Sequence, residues 1–130
     1  MPSSFRALAV WCLLFLLAFV GANASARYVS GHESSQTVIK EVSVADLPAE
    51  ARRTVALIRK GGPFPYERDG AVFGNFEKLL PVKARGHYRE YTVRTPGAKS
   101  RGARRIVAGK GGELYYTDDH YNSFSRIEEP

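Results

Sequence analysis

The stretch YREYTVRT, Tyr88 to Thr95, reads as a β-strand, and its reading decides the architecture of the chain. Alternation puts Tyr88, Glu90, Thr92 and Arg94 on one face and Arg89, Tyr91, Val93 and Thr95 on the other. One carboxylate, Glu90, therefore stands mid-strand on the more polar face, while Tyr91 and Val93 read as core. Downstream, ARRIVAG is a further strand in which Ile106 and Ala108 face opposite to Arg105 and Val107. LYYT (Leu114 to Thr117) and SFSRI (Ser123 to Ile127) follow as strands, with Leu114 and Phe124 expected in the core. The turn-rich TPGAKSRG, GKGGE and DDHYN separate them. If extended geometry begins as early as Arg101, that residue shares a face with Arg105.

Working outward, VADLPAEARRTVALIRKGG carries Leu47, Ala51, Val55 and Ile58 at helical spacing, Pro48 in the first turn and Gly61 at the stop. The spacing predicts an amphipathic helix of about three turns packed on the sheet. Arg59 and Lys60 suit the negative end of its dipole. GGPFPYERDG is too rich in Gly and Pro for regular structure and predicts an ordered loop. In AVFGNFEKLLP, Phe73, Phe76 and Leu79 are expected in the core, and Gly74 with Asn75 supplies an unusual turn. One helix followed by short antiparallel strands predicts an α+β domain, the helix lying on a small twisted antiparallel sheet.

The chain has 130 residues. Its N-terminus, MPSSFR, an apolar run from Ala7 to Val20, then GANASA, has the pattern of a secretory signal peptide cleaved after Ala26. The run is shorter than the roughly 20 residues a spanning helix needs, so no membrane association is expected after cleavage. Residues 27–42, which include His32, read as a polar flexible leader or pro-segment, and 43–130 as the domain. The single cysteine, Cys12, lies inside the signal segment, so the secreted chain is expected to depend on packing rather than disulfides. Removing the signal takes Arg6 and no acidic residue, which lowers the formal charge from +6 to +5. That balance favours polyanionic partners, although solvated basic residues on a small domain account for it equally well.

Several chemistries lack their groups. The sequence contains no HExxH and no phosphate-cradling GxxxxGK, and GxSxG is missing as well. Asp118, Asp119 and His120 are consecutive in a turn and poorly placed to share a cation, so neither a metal nor another cofactor is expected. A carboxylate, two arginines and a histidine are the set needed to cleave a phosphodiester without a metal. A base, Glu90, would deprotonate a ribose 2′-hydroxyl, and an acid, His120, would protonate the departing 5′-oxygen. The guanidinium groups of Arg101 and Arg105 would neutralise the phosphate as its charge grows. Taken by themselves the same residues also suit a surface glutamate, surface arginines and a turn histidine.

LPAEA, GGPFPYERDGAVFGNFE, LLP, YREYTV, TPGAKSRGARRI and YYTDDHYNSFSRI, in this order and spacing, resemble the secreted microbial guanyl-specific ribonucleases, the barnase-containing family, and most of all its ribonuclease Sa branch. The resemblance runs from about Ser43 to Ile127. It implies Glu90 as general base, His120 as general acid, and Arg101 and Arg105 as the phosphate-binding pair. It further implies a guanine pocket at Phe73, Gly74, Asn75, Phe76 and Glu77, with Tyr121 beside the substrate. Guanine offers adjacent N1 and N2 donors to one carboxylate, here Glu77, and O6 to backbone amides, whereas adenine lacks that donor pair. The implied activity is cleavage of single-stranded RNA after guanosine through a 2′,3′-cyclic phosphate, and a monomer is the default state. An acidic barstar-type inhibitor is the implied protein partner.

The chain departs from the family pattern in three places. Phe76 stands where an arginine is usual, Gly74 where a polar residue is usual, and Ser43 at the early position of the branch's disulfide, whose loss would cost about 2–4 kcal/mol. Two alternatives to a guanyl-specific enzyme are a ribonuclease of relaxed base specificity and a non-catalytic, basic RNA- or polyanion-binding protein of the same fold.

Overall fold

The computed structural model describes residues 37–130. The expected signal peptide, Cys12, His32 and the first part of the leader lie outside the described residues. The chain forms β1 (Lys40–Ser43), a 3-10 turn (Val44–Asp46), α1 (Ala49–Lys60), β2 (Ala71–Val72), β3 (Tyr88–Thr92), β4 (Arg105–Gly109), β5 (Leu114–Thr117) and β6 (Ser125–Glu128). One six-stranded sheet results, in the order β1-β6-β5-β4-β3-β2.

Helix α1 follows the expected stripe. Leu47, Ala51 and Val55 are buried with Val93, Ile106, Leu114 and Ile127, and Ile58 packs against the same cluster. Each large apolar side chain placed there contributes about 1.5–3 kcal/mol. Gly61 ends the helix in the left-handed region, at φ 88°, and its N–H donates to the Leu57 and Ile58 carbonyls. The Thr54 hydroxyl reaches the Thr92 carbonyl at 3.4 Å, stitching helix to β3. The other face of the sheet carries Leu80, Tyr88, Val107 and Tyr115, with Phe73, Tyr121 and Phe124 packed on them. That face forms the floor of a cleft.

The structure corrects five expectations. Lys40 to Val42, placed in the leader, belong to β1, which runs parallel to β6 with Val42 opposite Ile127. The sheet is therefore mixed rather than purely antiparallel, and ordered structure starts before Ser43. Strand β3 stops at Thr92 rather than Thr95, although the Val93 N–H still reaches the Arg104 carbonyl at 3.1 Å. Phe76 is not core but 84% exposed. Tyr91 is only half-buried and lies 4.8 Å from the Phe64 ring.

At Ser43, where the resemblance places a disulfide, the hydroxyl accepts the Ala45 N–H at 3.3 Å. The ends of the domain are joined here by the β1–β6 ladder and by an ion pair between Arg59 at the end of α1 and Glu129.

Candidate active site

Strand register assembles the site. Glu90 lies opposite Val107 and Thr92 opposite Arg105, so Tyr88, Glu90, Thr92, Arg105 and Val107 share the cleft face. Glu90 is 6% exposed, a burial that a lone carboxylate would not tolerate. Its partners explain it. Arg101 donates to Glu90 Oε1 at 3.1 Å, the Tyr121 hydroxyl donates to Oε2 at 2.5 Å, and Arg68 Nε stands 3.6 Å from Oε1. Burial alone would raise the carboxyl pKa. The bonds from Tyr121 and Arg101, with the charges of Arg101 and Arg68, outweigh it and hold Glu90 below the ordinary carboxylate value. The group is thus an ionised base at neutral pH.

Arg101 precedes β4, yet its guanidinium lies over β3, bonding the Thr92 hydroxyl at 3.1 and 2.8 Å as well as Glu90. Arg105 is 3% exposed. Its Nη1 donates to the carbonyls of Gly102 at 2.9 Å and Arg104 at 2.7 Å, with that of Arg101 at 3.5 Å, while its buried Nε has no partner among the described residues. The guanidinium carbon sits 6.0 Å from the centre of the Tyr121 ring. Arg104 is half-buried, and its charge bears on Tyr116.

His120 comes from the turn between β5 and β6, where both it and Tyr121 have positive φ, 57° and 70°. Such a backbone needs outside support. The Asp119 carboxylate supplies it by accepting the Thr117 hydroxyl at 2.8 Å, the Ser123 N–H at 2.9 Å and the Ser123 hydroxyl at 2.6 Å. The Ser123 hydroxyl is the main reason Asp119 is held below its ordinary pKa. The His120 N–H meets the Ala103 carbonyl at 3.1 Å, and the side chain is exposed at the cleft. Tyr121 lies beneath it. Burial first, then the bond to Glu90 and its charge, push the phenol up to about 12, against the opposing charge of Arg105.

The loop after β2 forms the adjoining wall. Phe73 stacks on Tyr121 at 5.0 Å. Asn75, at φ 50°, uses its side-chain amide to receive the Leu80 N–H at 3.1 Å and to donate to the Leu80 carbonyl at 2.9 Å. Its carboxamide therefore braces the loop. Glu77 is exposed. A cavity of about 340 Å³ is lined jointly by Phe73, Gly74, Asn75, Phe76 and Glu77 on one side and by Glu90, His120 and Tyr121 on the other. Arg101 and Arg105 are not in its lining; they reach it through their contacts with Glu90 and Tyr121.

All ten residues singled out in the sequence thus stand in or beside one cleft. Sequence reasoning missed Arg68 and Thr92. Arg68 lies in an irregular loop with no periodicity to orient it, and its only sequence signal is a charge among glycines and prolines. Thr92 shares the face of Glu90, but a threonine in a strand has too many ordinary explanations to stand out. His87 is half-buried and paired with Glu113. No cluster of metal-binding side chains occurs among the described residues.

A ribonuclease family model matches residues 30–128. Guanyl-specific ribonuclease St of Saccharopolyspora erythraea is 59% identical over 85 residues, 65% of this chain and 84% of that protein. Guanyl-specific ribonuclease Sa of Kitasatospora aureofaciens is 53% identical over 89 residues, 68% of this chain and 93% of that one. Among solved structures, ribonuclease Sa2 with guanosine-2′-cyclophosphate superposes with a TM-score of 0.68 at 49% identity, covering 70% of this chain and 97% of that one.

Proposed function

The chain belongs to the ribonuclease family, and on that premise we propose that it is an endoribonuclease cleaving single-stranded RNA after guanosine. The observation that carries this reading is a cavity whose two walls are Glu90 with His120 and the loop from Phe73 to Glu77. Relatives named as guanyl-specific and a related structure holding a guanosine cyclophosphate support it.

Glu90 is the general base. A carboxylate has about four acceptor positions, and hydrogen bonds from Arg101 and Tyr121 leave acceptor capacity free for a ribose 2′-hydroxyl. Once deprotonated, that oxygen attacks the adjacent phosphorus, and His120 gives a proton to the leaving 5′-oxygen. Arg101 and Arg105 carry the growing charge on the phosphate oxygens. Because both guanidinium groups are already held by the protein, little reorganisation is needed as the charge develops. The 2′,3′-cyclic phosphate is then hydrolysed with the acid and base roles exchanged. Glu77 receives guanine N1 and N2, backbone amides of the braced loop meet O6, and Phe73 flanks the base with Phe76 at the rim of the pocket.

In this reading the domain is exported after loss of residues 1–26, acts as a monomer, and offers a basic cleft to an acidic inhibitor of the barstar type. It needs neither metal nor cofactor, since base, acid and charge stabiliser are all side chains.

The deciding experiment is incubation with defined RNA in EDTA, with mapping of the ends. Cuts 3′ of guanosine and cyclic-phosphate ends that precede 3′-phosphates are expected, and DNA survives. Cleaved DNA or a strict magnesium requirement defeats the mechanism, and equal rates on the dinucleotides GpC and ApC defeat the guanine assignment.

Tyr121→Phe provides a pH test of the site. Glu90 must be ionised to act, so activity falls as pH drops through its depressed pKa. Removing the Tyr121 hydrogen bond removes one of the groups that lower that pKa. The acidic limb of kcat/KM should move to higher pH, and an unmoved limb would show that the bond does not tune the base.

A further inference from the structure

A second cavity, of about 300 Å³, lies on the side of the recognition loop away from the catalytic groups. The loop Phe73–Phe76 borders both cavities, and Lys78, Val82, Lys83, Arg85 and Tyr88 help to close the second. Neither Glu90, His120, Arg101 nor Arg105 borders it, and its lining contains no carboxylate.

Phe76 is 84% exposed, with Val82 near it at 71%. A phenylalanine left in water forgoes about 1.5–3 kcal/mol of burial, so its stance calls for a cause. The loop holds the ring there. A Cβ at position 74 would fall 2.5 Å from Cε2 and Cζ of Phe76, so the ring rests directly on the Gly74 backbone. Asn75 and Lys78, both at positive φ, flank the ring, and the Asn75 amide ties the loop to Leu80. One face of the ring is supported and the rest is free. Around it Lys78, Lys83 and Arg85 are exposed, and none of them enters an ion pair among the described residues. Glu113 is the acidic group that feels Lys83, and it belongs to the neighbouring side of the sheet.

We infer that Phe76, Lys78, Lys83 and Arg85 form a subsite for the nucleotide 5′ to the guanosine in single-stranded RNA. Its base stacks on Phe76 and the phosphate that joins it to the guanosine lies among the three cations. The inference rests on the guanine reading of the loop and extends it. With the guanosine 3′-phosphate directed to Glu90 and His120, this cavity, which shares the Phe73–Phe76 wall but none of the catalytic groups, is the one open to the strand's 5′ end. An aromatic platform within a basic groove binds single strands with little regard to base identity. The subsite therefore adds affinity for longer RNA without adding a second sequence preference.

The test compares kcat/KM for GpC, ApGpC and the same trinucleotide with an abasic 5′ residue, with ApC as control. ApGpC should exceed GpC by about tenfold, the scale of one base stack, and the abasic substrate should keep only the salt-sensitive part. Lys83→Ala/Arg85→Ala should leave GpC unchanged and reduce the trinucleotide advantage together with its salt dependence. Phe76→Ala should remove the base-dependent part, and Phe76→Tyr should retain it. Equal rates on ApGpC and GpC, or an undiminished advantage in the double variant, overturn the subsite while the guanine reading stands. Equal rates on GpC and ApC overturn the guanine reading and the subsite with it.

Discussion

Glu90→Gln is expected to lower kcat on GpC by about 10²–10⁴-fold, the range associated with a positioned general base, with KM little changed. The amide keeps the size of the carboxylate, and its one oxygen can still accept the Arg101 N–H while the Tyr121 hydroxyl turns to accept from the amide N–H. What it cannot do is accept the 2′-proton, so the loss falls on the chemical step. A second readout separates this role from a structural one. Because the Glu90 pKa is depressed in the folded state, its contribution to stability is present above the unfolded value of about 4.3 and is lost as pH falls through the folded value. The variant should lack that component of acid sensitivity while remaining folded at neutral pH. A Glu90→Gln enzyme retaining more than a tenth of the wild-type kcat would remove Glu90 from the role of base.

Arg105→Lys is expected to lower kcat/KM by about 10²–10³-fold, the scale of losing a fixed donor to developing charge. Charge is conserved in this substitution, so the effect isolates geometry. The guanidinium holds the Gly102 and Arg104 carbonyls with Nη1 while its buried Nε remains unpartnered and its carbon stands 6.0 Å from the Tyr121 ring. One ammonium cannot hold the turn before β4 and also present a planar fork to a phosphate. Either the carbonyls or the substrate go without a donor. Stability should fall by about 1.5–3 kcal/mol, the worth of hydrogen bonds from a charged group, measurable by urea unfolding. Near-wild-type kcat/KM in a stable Lys variant would mean that Arg105 only braces the turn.

The two departures at the recognition loop become intelligible together. Gly74 and Phe76 each depart from the family pattern, and in the fold each accommodates the other, because the ring occupies the space a side chain at position 74 would need. Substituting Gly74 alone forces the ring to move.

Much of this protein was legible from order and spacing. The stripe of Leu47, Ala51, Val55 and Ile58 with Gly61 behind it specifies α1, since helical period and a left-handed stop are local properties. Alternation in the strands settled that Arg105 and Val107 oppose Ile106 and Ala108, and the β3–β4 register agrees. The agreement of several separated segments with one family singled out ten candidate residues, all of which lie in or beside the cleft.

Tertiary structure alone decided the rest, for reasons of distance along the chain. The parallel pairing of Lys40–Ser43 with Ser125–Glu128 joins segments far apart in sequence, and a four-residue strand beside a polar leader has no local signal for its distant partner. Phe76 was expected inside because it is apolar, but in an aperiodic loop no pattern says which way a ring points. The approach of Arg68, Arg101 and Tyr121 to one carboxylate depends on the reach of long side chains from three different loops. Sequence by itself determined the helix, the later strands and the family, and it singled out the candidate reacting groups; the folded chain determined β1, the charge environment of Glu90 and the outward stance of Phe76, because these arise from contacts between segments that no local periodicity records.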